Sequence, residues 1–117
     1  MKLLKIDSYS FGSLIINGMS YTHDLIIYPE GKILKSWWRK RGHQLLIDDI
    51  RELIDSTPEI IIAGTGVSGR MNPEKGLEKD LSKLAIKFIA AQNEEAIKIF
   101  NKLASEKRIG ACFHLTC

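Results

Sequence analysis

Glycines at 64, 66 and 69 follow the apolar run Ile60-Ile61-Ile62 and fit the spacing G-x-G-x-x-G. At the end of a strand, such a spacing can cradle pyrophosphate against a helix N-terminus. Two departures oppose that reading. Arg70-Met71-Asn72-Pro73 delays the next helix, and Gln92-Asn93 stands where a ribose-binding acid should end the following strand. Glu94 and Glu95 are nearby but read as first-turn helix residues. The chain also lacks room for two mononucleotide-binding halves. No dinucleotide is expected, and no other cofactor is indicated. A looser chemistry fits better. Behind the first glycine, Gly64, the amides of residues 65–70, among them Thr65, Gly66 and Gly69, with the Ser68 hydroxyl and the Arg70 charge, can form an anion-binding nest. The plain alternative is a flexible strand-to-helix connection.

Three further groups carry potential chemistry. Lys35-Ser36-Trp37-Trp38-Arg39-Lys40-Arg41 interleaves cations with aromatics. Such a mixture can stack single-stranded nucleic acid or anchor a protein interface. One short cluster is too little basic surface for nucleic acid, so Trp37, Trp38 and Arg39 are read as an interface. Adjacent tryptophans on a strand face opposite sides, so at most one of them belongs to the core. His23-Asp24 could serve acid–base chemistry, but strand neighbours do not touch. Asp24 would need a partner from elsewhere, with His43 and His114 as candidates. For His114, inside an apolar strand, a satisfied core role is expected. Asn101 flanks the apolar stripe of the last helix, bonded to backbone or reaching into a pocket. A pocket at Gly64–Arg70 would be completed by Asp24, Asn101 or the C-terminal strand. Neither a nucleophile elbow nor a metal-ligand set is present, which leans the reading away from an enzyme.

The elements that must position these residues alternate in type. Ser13 to Ile16, the turn Asn17-Gly18, and Met19 to Tyr28 read as a hairpin with a type I′ turn. Pro29-Glu30-Gly31-Lys32 makes a second turn, and Ile33 to Trp38 reads as a strand. Ile47, Ile50, Leu53 and Ile54 predict a helix over 48–55. Ile60-Ile61-Ile62 suits a strand covered on both faces. Leu77, Leu81 and Leu84 predict a helix with Asn72-Pro73 as its cap and first turn. Ala85 to Ala91 is a strand. Asn93 caps a helix with Ala96, Ile97, Phe100, Leu103 and Ala104 inside. Ile109 to Leu115 is the final strand. The pattern is a β meander over 1–45, followed by α-β-α-β-α-β over 46–117, in one α/β domain with a mixed sheet.

Bulk properties agree. The chain has 117 residues, 44% of them apolar and 26% charged, and a net charge of +3. That is one domain able to bury a core, with too little excess charge to imply nucleic acid. Cys112 reads as core and Cys117 as a free thiol, since a strand would place them on opposite faces. No run is long enough to span a membrane, and Asp7 and Ser8 end the apolar start too soon for a signal peptide. A cytoplasmic location is expected.

Several residue groups recur together in this order: Phe11-Gly12, Gly18, His23-Asp24, Gly31, Trp37-Trp38-Arg39, Gly42-His43, Gly64-Thr65-Gly66, Ala96, Phe100-Asn101 and His114-Leu115-Thr116-Cys117. With them, nearly the whole chain resembles a family of single-domain proteins of unknown function. Its relatives include the adipogenesis-associated domain protein and the mitochondrial complex I assembly factor 3. The resemblance implies a three-layer α/β fold with a mixed sheet and no assigned active site. It also implies an assembly or scaffolding role through a protein partner.

Overall fold

Ile60 to Gly64 is buried at every position, as a strand covered on both faces must be. It forms β7, inside a five-stranded sheet of order β5-β4-β10-β7-β9. Here β4 is Leu25–Ile27, β5 Ile33–Leu34, β9 Lys87–Ala91 and β10 Ile109–Phe113. β10 runs parallel to β7 and antiparallel to β4, so the sheet is mixed. A computed structural model describes residues 4–117. The absence of a leader, expected from Met1 onward, concerns a start that falls partly outside the described residues.

Side-chain alternation sorts the core into two layers. Ile61, Ala63, Cys112 and Phe88 face one side. There they meet Leu53 and Ile54 of α1 (Arg51–Asp55) and Leu77 and Leu81 of α2 (Leu77–Lys83). Ile60, Ile62, Ala111 and Phe113 face the other side, against Ala96 and Phe100 of α3 (Asn93–Leu103). The same layer takes Ile6, Leu14 and Ile16 from a second sheet of β1 (Ile6–Ser10), β2 (Ser13–Ile16) and β3 (Met19–Tyr21). The result is the expected three-layer α/β fold. Strands from both halves of the chain share the central sheet.

The turn Asn17-Gly18 has φ of 48° and 81°, both positive as type I′ requires. Other boundaries differ from the sequence reading. Met19 to Tyr28 is not one strand, because the chain leaves one sheet for the other at residues 22–24. Ile33 to Trp38 shortens to two residues, because Trp37 turns inward. Its amide donates to Asp24 O and its indole N–H to Asp49 O. The helix predicted over 48–55 opens with a 3₁₀ turn, Ile47–Ile50, before α1. Asn72-Pro73 is no helix cap. It forms a short strand, β8, parallel to β6 (Gln44–Leu45), with Asn72 N donating to His43 O. α2 starts only after Gly76, whose φ is 90°, and ends before Leu84, which is exposed. The last strand ends at Phe113 rather than Leu115.

Candidate functional site

The carboxyl ends of the parallel strands β7, β9 and β10 lie side by side, where ligands bind in open α/β sheets. Gly64 is level with Phe113 on one side and Ala91 on the other. A Cβ on Gly64 would collide with the Phe113 ring and sit 2.5 Å from the Asn93 amide oxygen. Glycine is therefore demanded here by close packing.

Asn93 is not the helix cap that its position in the sequence suggests. It is the first residue of α3, fully buried, and its side chain turns back to the strand ends. It accepts from Gly66 N at 3.1 Å and donates to His114 O at 2.8 Å. One amide thus ties β9's end to the glycine loop and to β10. The signal available in sequence was its place directly after a strand, level with the glycines.

The loop's amides are largely used within the protein. Thr65 N donates to Ala91 O, Val67 N to Thr116 O, and Arg70 N to Cys117 O. The Ser68 hydroxyl also donates to Cys117 O, at 3.0 Å. Gly66, at φ 107°, lies against the main chain of Cys117, where a Cβ would be 2.6 Å from the oxygen. The loop therefore holds residues 116 and 117 as it would hold a ligand. Among the described residues, the amides of Ser68 and Gly69 have no acceptor, and Arg70 is exposed.

Asp24 finds its partner in His114, one of the two candidates. Its Oδ2 is 2.8 Å from His114 Nδ1 and 2.8 Å from Arg39 Nη1, and its Oδ1 accepts from Leu115 N at 2.8 Å. Burial pushes the Asp24 carboxyl up. The His114 and Leu115 bonds, the Arg39 bond and the nearby positive charge outweigh that and hold it below its ordinary value. Arg39 Nη2 also lies 3.1 Å from Nδ1, so this nitrogen faces both the carboxylate and the guanidinium. Nε2 faces the Thr116 hydroxyl at 3.4 Å, and the His43 ring packs edge-on at 5.7 Å. The imidazole is held in place but turned towards its own chain.

Arg39 departs from the exposed interface expected of it, since its side chain is only 5% exposed. Two of its N–H groups donate to Gly42 O, and its guanidinium lies 4.7 Å from the Trp37 ring centroid. Trp37 is buried and Trp38 is 82% exposed, the one-in, one-out split expected of the pair. Trp37, Trp38 and Arg39 border a cleft of about 400 Å³ with Thr22, His23, Asp24, Ser36 and Gly42. Asn101 does not join this group. It spends both amide atoms on Ile6, accepting from N at 3.0 Å and donating to O at 2.9 Å, and so binds β1 to α3. His23 is exposed. Cys112 is core, its thiol pushed up to about 12 by burial, while Cys117 is a free, half-buried thiol.

The Asp24 geometry predicts an acid-sensitive fold. A carboxyl with a depressed folded value stabilises fully above its ordinary value of 3.8 and loses that contribution as pH falls towards the folded value. The stability gap between wild type and Asp24→Asn should therefore be constant from neutral pH down to about pH 5 and narrow below it. Urea unfolding of both proteins through this range measures it. A gap that does not narrow in acid would contradict the ionised pair.

Comparison with known proteins fits this architecture. The conserved hypothetical protein PH1505 of Pyrococcus horikoshii OT3 is 27% identical, with a TM-score of 0.81 over 97% of this chain and 99% of that one. A protein called MT938 is 25% identical, with a TM-score of 0.82 over the same shares, 97% and 99%. A Bordetella pertussis protein described as an Mth938-like domain shares the fold at 17% identity and a TM-score of 0.64, over 97% of this chain and 86% of that one. Residues 6–114 match the family described as protein of unknown function (DUF498/DUF598). With its fold and nearly its whole length accounted for, the chain belongs to that family.

Proposed function

We propose that this protein is a cytoplasmic binding or assembly module that acts through protein contacts, without catalysis. The observation behind this reading is Trp38, 82% exposed at the rim of a cleft with a locked floor. A tryptophan left in water beside a rigid wall is the residue type that anchors interfaces, and a pre-ordered wall lowers the ordering cost of binding. The resemblance to complex I assembly factor 3, and to the adipogenesis-associated domain protein, supports an assembly role of the same kind. The test is copurification from the native cell with Trp38→Ala and, as a control, Leu84→Ala, another exposed apolar residue. Partners held by wild type should be lost with Trp38→Ala and kept with Leu84→Ala. Because Trp38 packs so little, the variant should fold with stability within about 0.5 kcal/mol of wild type. An unchanged partner set would refute the reading.

A second reading is a small anion or metabolite held at Gly64–Arg70, with Thr65, Gly66, Ser68 and Gly69 in the loop. It is favoured by the two adjacent amides of Ser68 and Gly69, without acceptors among the described residues, beside the exposed Arg70. Thermal-shift titrations with phosphate, sulfate and small carboxylates on wild type and Arg70→Ala decide it. An Arg70-dependent rise in Tm supports the site, and no shift removes it.

A further inference from the structure

The charges around Trp38 say what kind of partner it would meet. Lys35, Lys40 and Arg41 are exposed and lie within three residues of it in the chain. Among the described residues, Lys35 and Arg41 have no acidic partner. Lys40 is only 4.0 Å from Asp48, whose carboxylate is already paired with Arg51 at 2.8 Å. The one carboxylate in the cleft, Asp24, is consumed internally by Arg39 and His114. The segment that carries the exposed indole therefore also carries two cations, Lys35 and Arg41, without an acidic partner among the described residues. The floor does not neutralise them, because the Asp24 carboxylate is held by Arg39, His114 and Leu115 N.

We infer that the Trp38 cleft takes an acidic protein segment carrying an apolar or aromatic anchor. The anchor covers the indole, and flanking Asp or Glu side chains meet Lys35 and Arg41. Complementary charge sets approach and register, while the buried anchor supplies most of the affinity. Single-stranded nucleic acid fits less well, because it needs successive stacking platforms and this loop exposes one aromatic. The inference rests on the protein-contact reading above, and its test separates the two.

A random-peptide display library is selected on the full chain and counter-selected on Trp38→Ala. Recovered peptides should be net acidic around a hydrophobic residue. Their affinity should fall about tenfold in the double variant Lys35→Glu, Arg41→Glu, and should weaken as salt rises. Peptides that need Trp38 but are neutral or basic would overturn the acidic partner and leave the protein-contact reading standing. Recovery of no Trp38-dependent peptide would overturn both. Tighter binding of unstructured RNA or of vesicles containing anionic lipid than of any recovered peptide would also overturn the inference.

Discussion

Replacing Gly66 with valine should lower Tm by about 10–25 °C, at about 4 °C or more per kcal/mol for a domain of this size. Two costs add. At φ 107°, a β-branched residue is held in backbone space that disfavours it, at about 1–3 kcal/mol. Its Cβ would also press on the Cys117 main chain, which cannot rotate away as a side-chain tip can, adding about 1–3 kcal/mol of overpacking. Gly76 separates the two costs. Its φ is 90°, yet nothing lies within 4 Å of a Cβ there. Gly76→Val should therefore show the backbone cost alone, and Gly66→Val clearly more. Thermal unfolding of the pair measures the difference. Equal losses would mean that the contact between loop and residue 117 contributes nothing.

Asp24→Ala should cost about 3–5 kcal/mol, because it strands a buried guanidinium without its counter-charge and an ordered imidazole without its hydrogen-bond partner. The Arg39 and His114 side chains are only 5% and 8% exposed, so both lose a partner in a largely desolvated place. Leu115 N loses its acceptor as well. Adding Arg39→Met should recover part of the loss, since it removes the uncompensated charge while keeping the chain's bulk. Linear-extrapolation urea unfolding of the single and double variants gives the coupling. A loss below about 1 kcal/mol for Asp24→Ala would place the pair among surface ion pairs of little weight.

Much of the fold was legible because it was local. Asn17-Gly18 announces its own turn, and Ile60-Ile61-Ile62 its own burial. Asn72-Pro73 misled for the opposite reason. A cap-like dipeptide was captured by β6, whose position no local signal gives. The site divides the same way. The glycine spacing marked a place of close backbone approach, but the partner is residue 117 rather than a cofactor phosphate. Asp24 needed a distant partner, and the choice of His114 over His43 is tertiary, made by β10 lying beside β4. Arg39 looked like surface because its neighbours are surface. Asp24, Gly42 O and the Trp37 ring together draw it inward.

Among the described strands, β10 is the last to be synthesised, yet it lies between β4 and β7. On the ribosome, neither strand has its central neighbour until residues 109–113 emerge. Chain growth of about 5–20 residues per second leaves Leu25-Ile26-Ile27 waiting several seconds with one edge open. The hairpin of β1–β3 can close early, but the layer it packs on cannot. The central sheet therefore closes only once residues 109–113 have emerged. A nascent chain stalled before Ile109 would present apolar strand edges to chaperones and to other copies of itself.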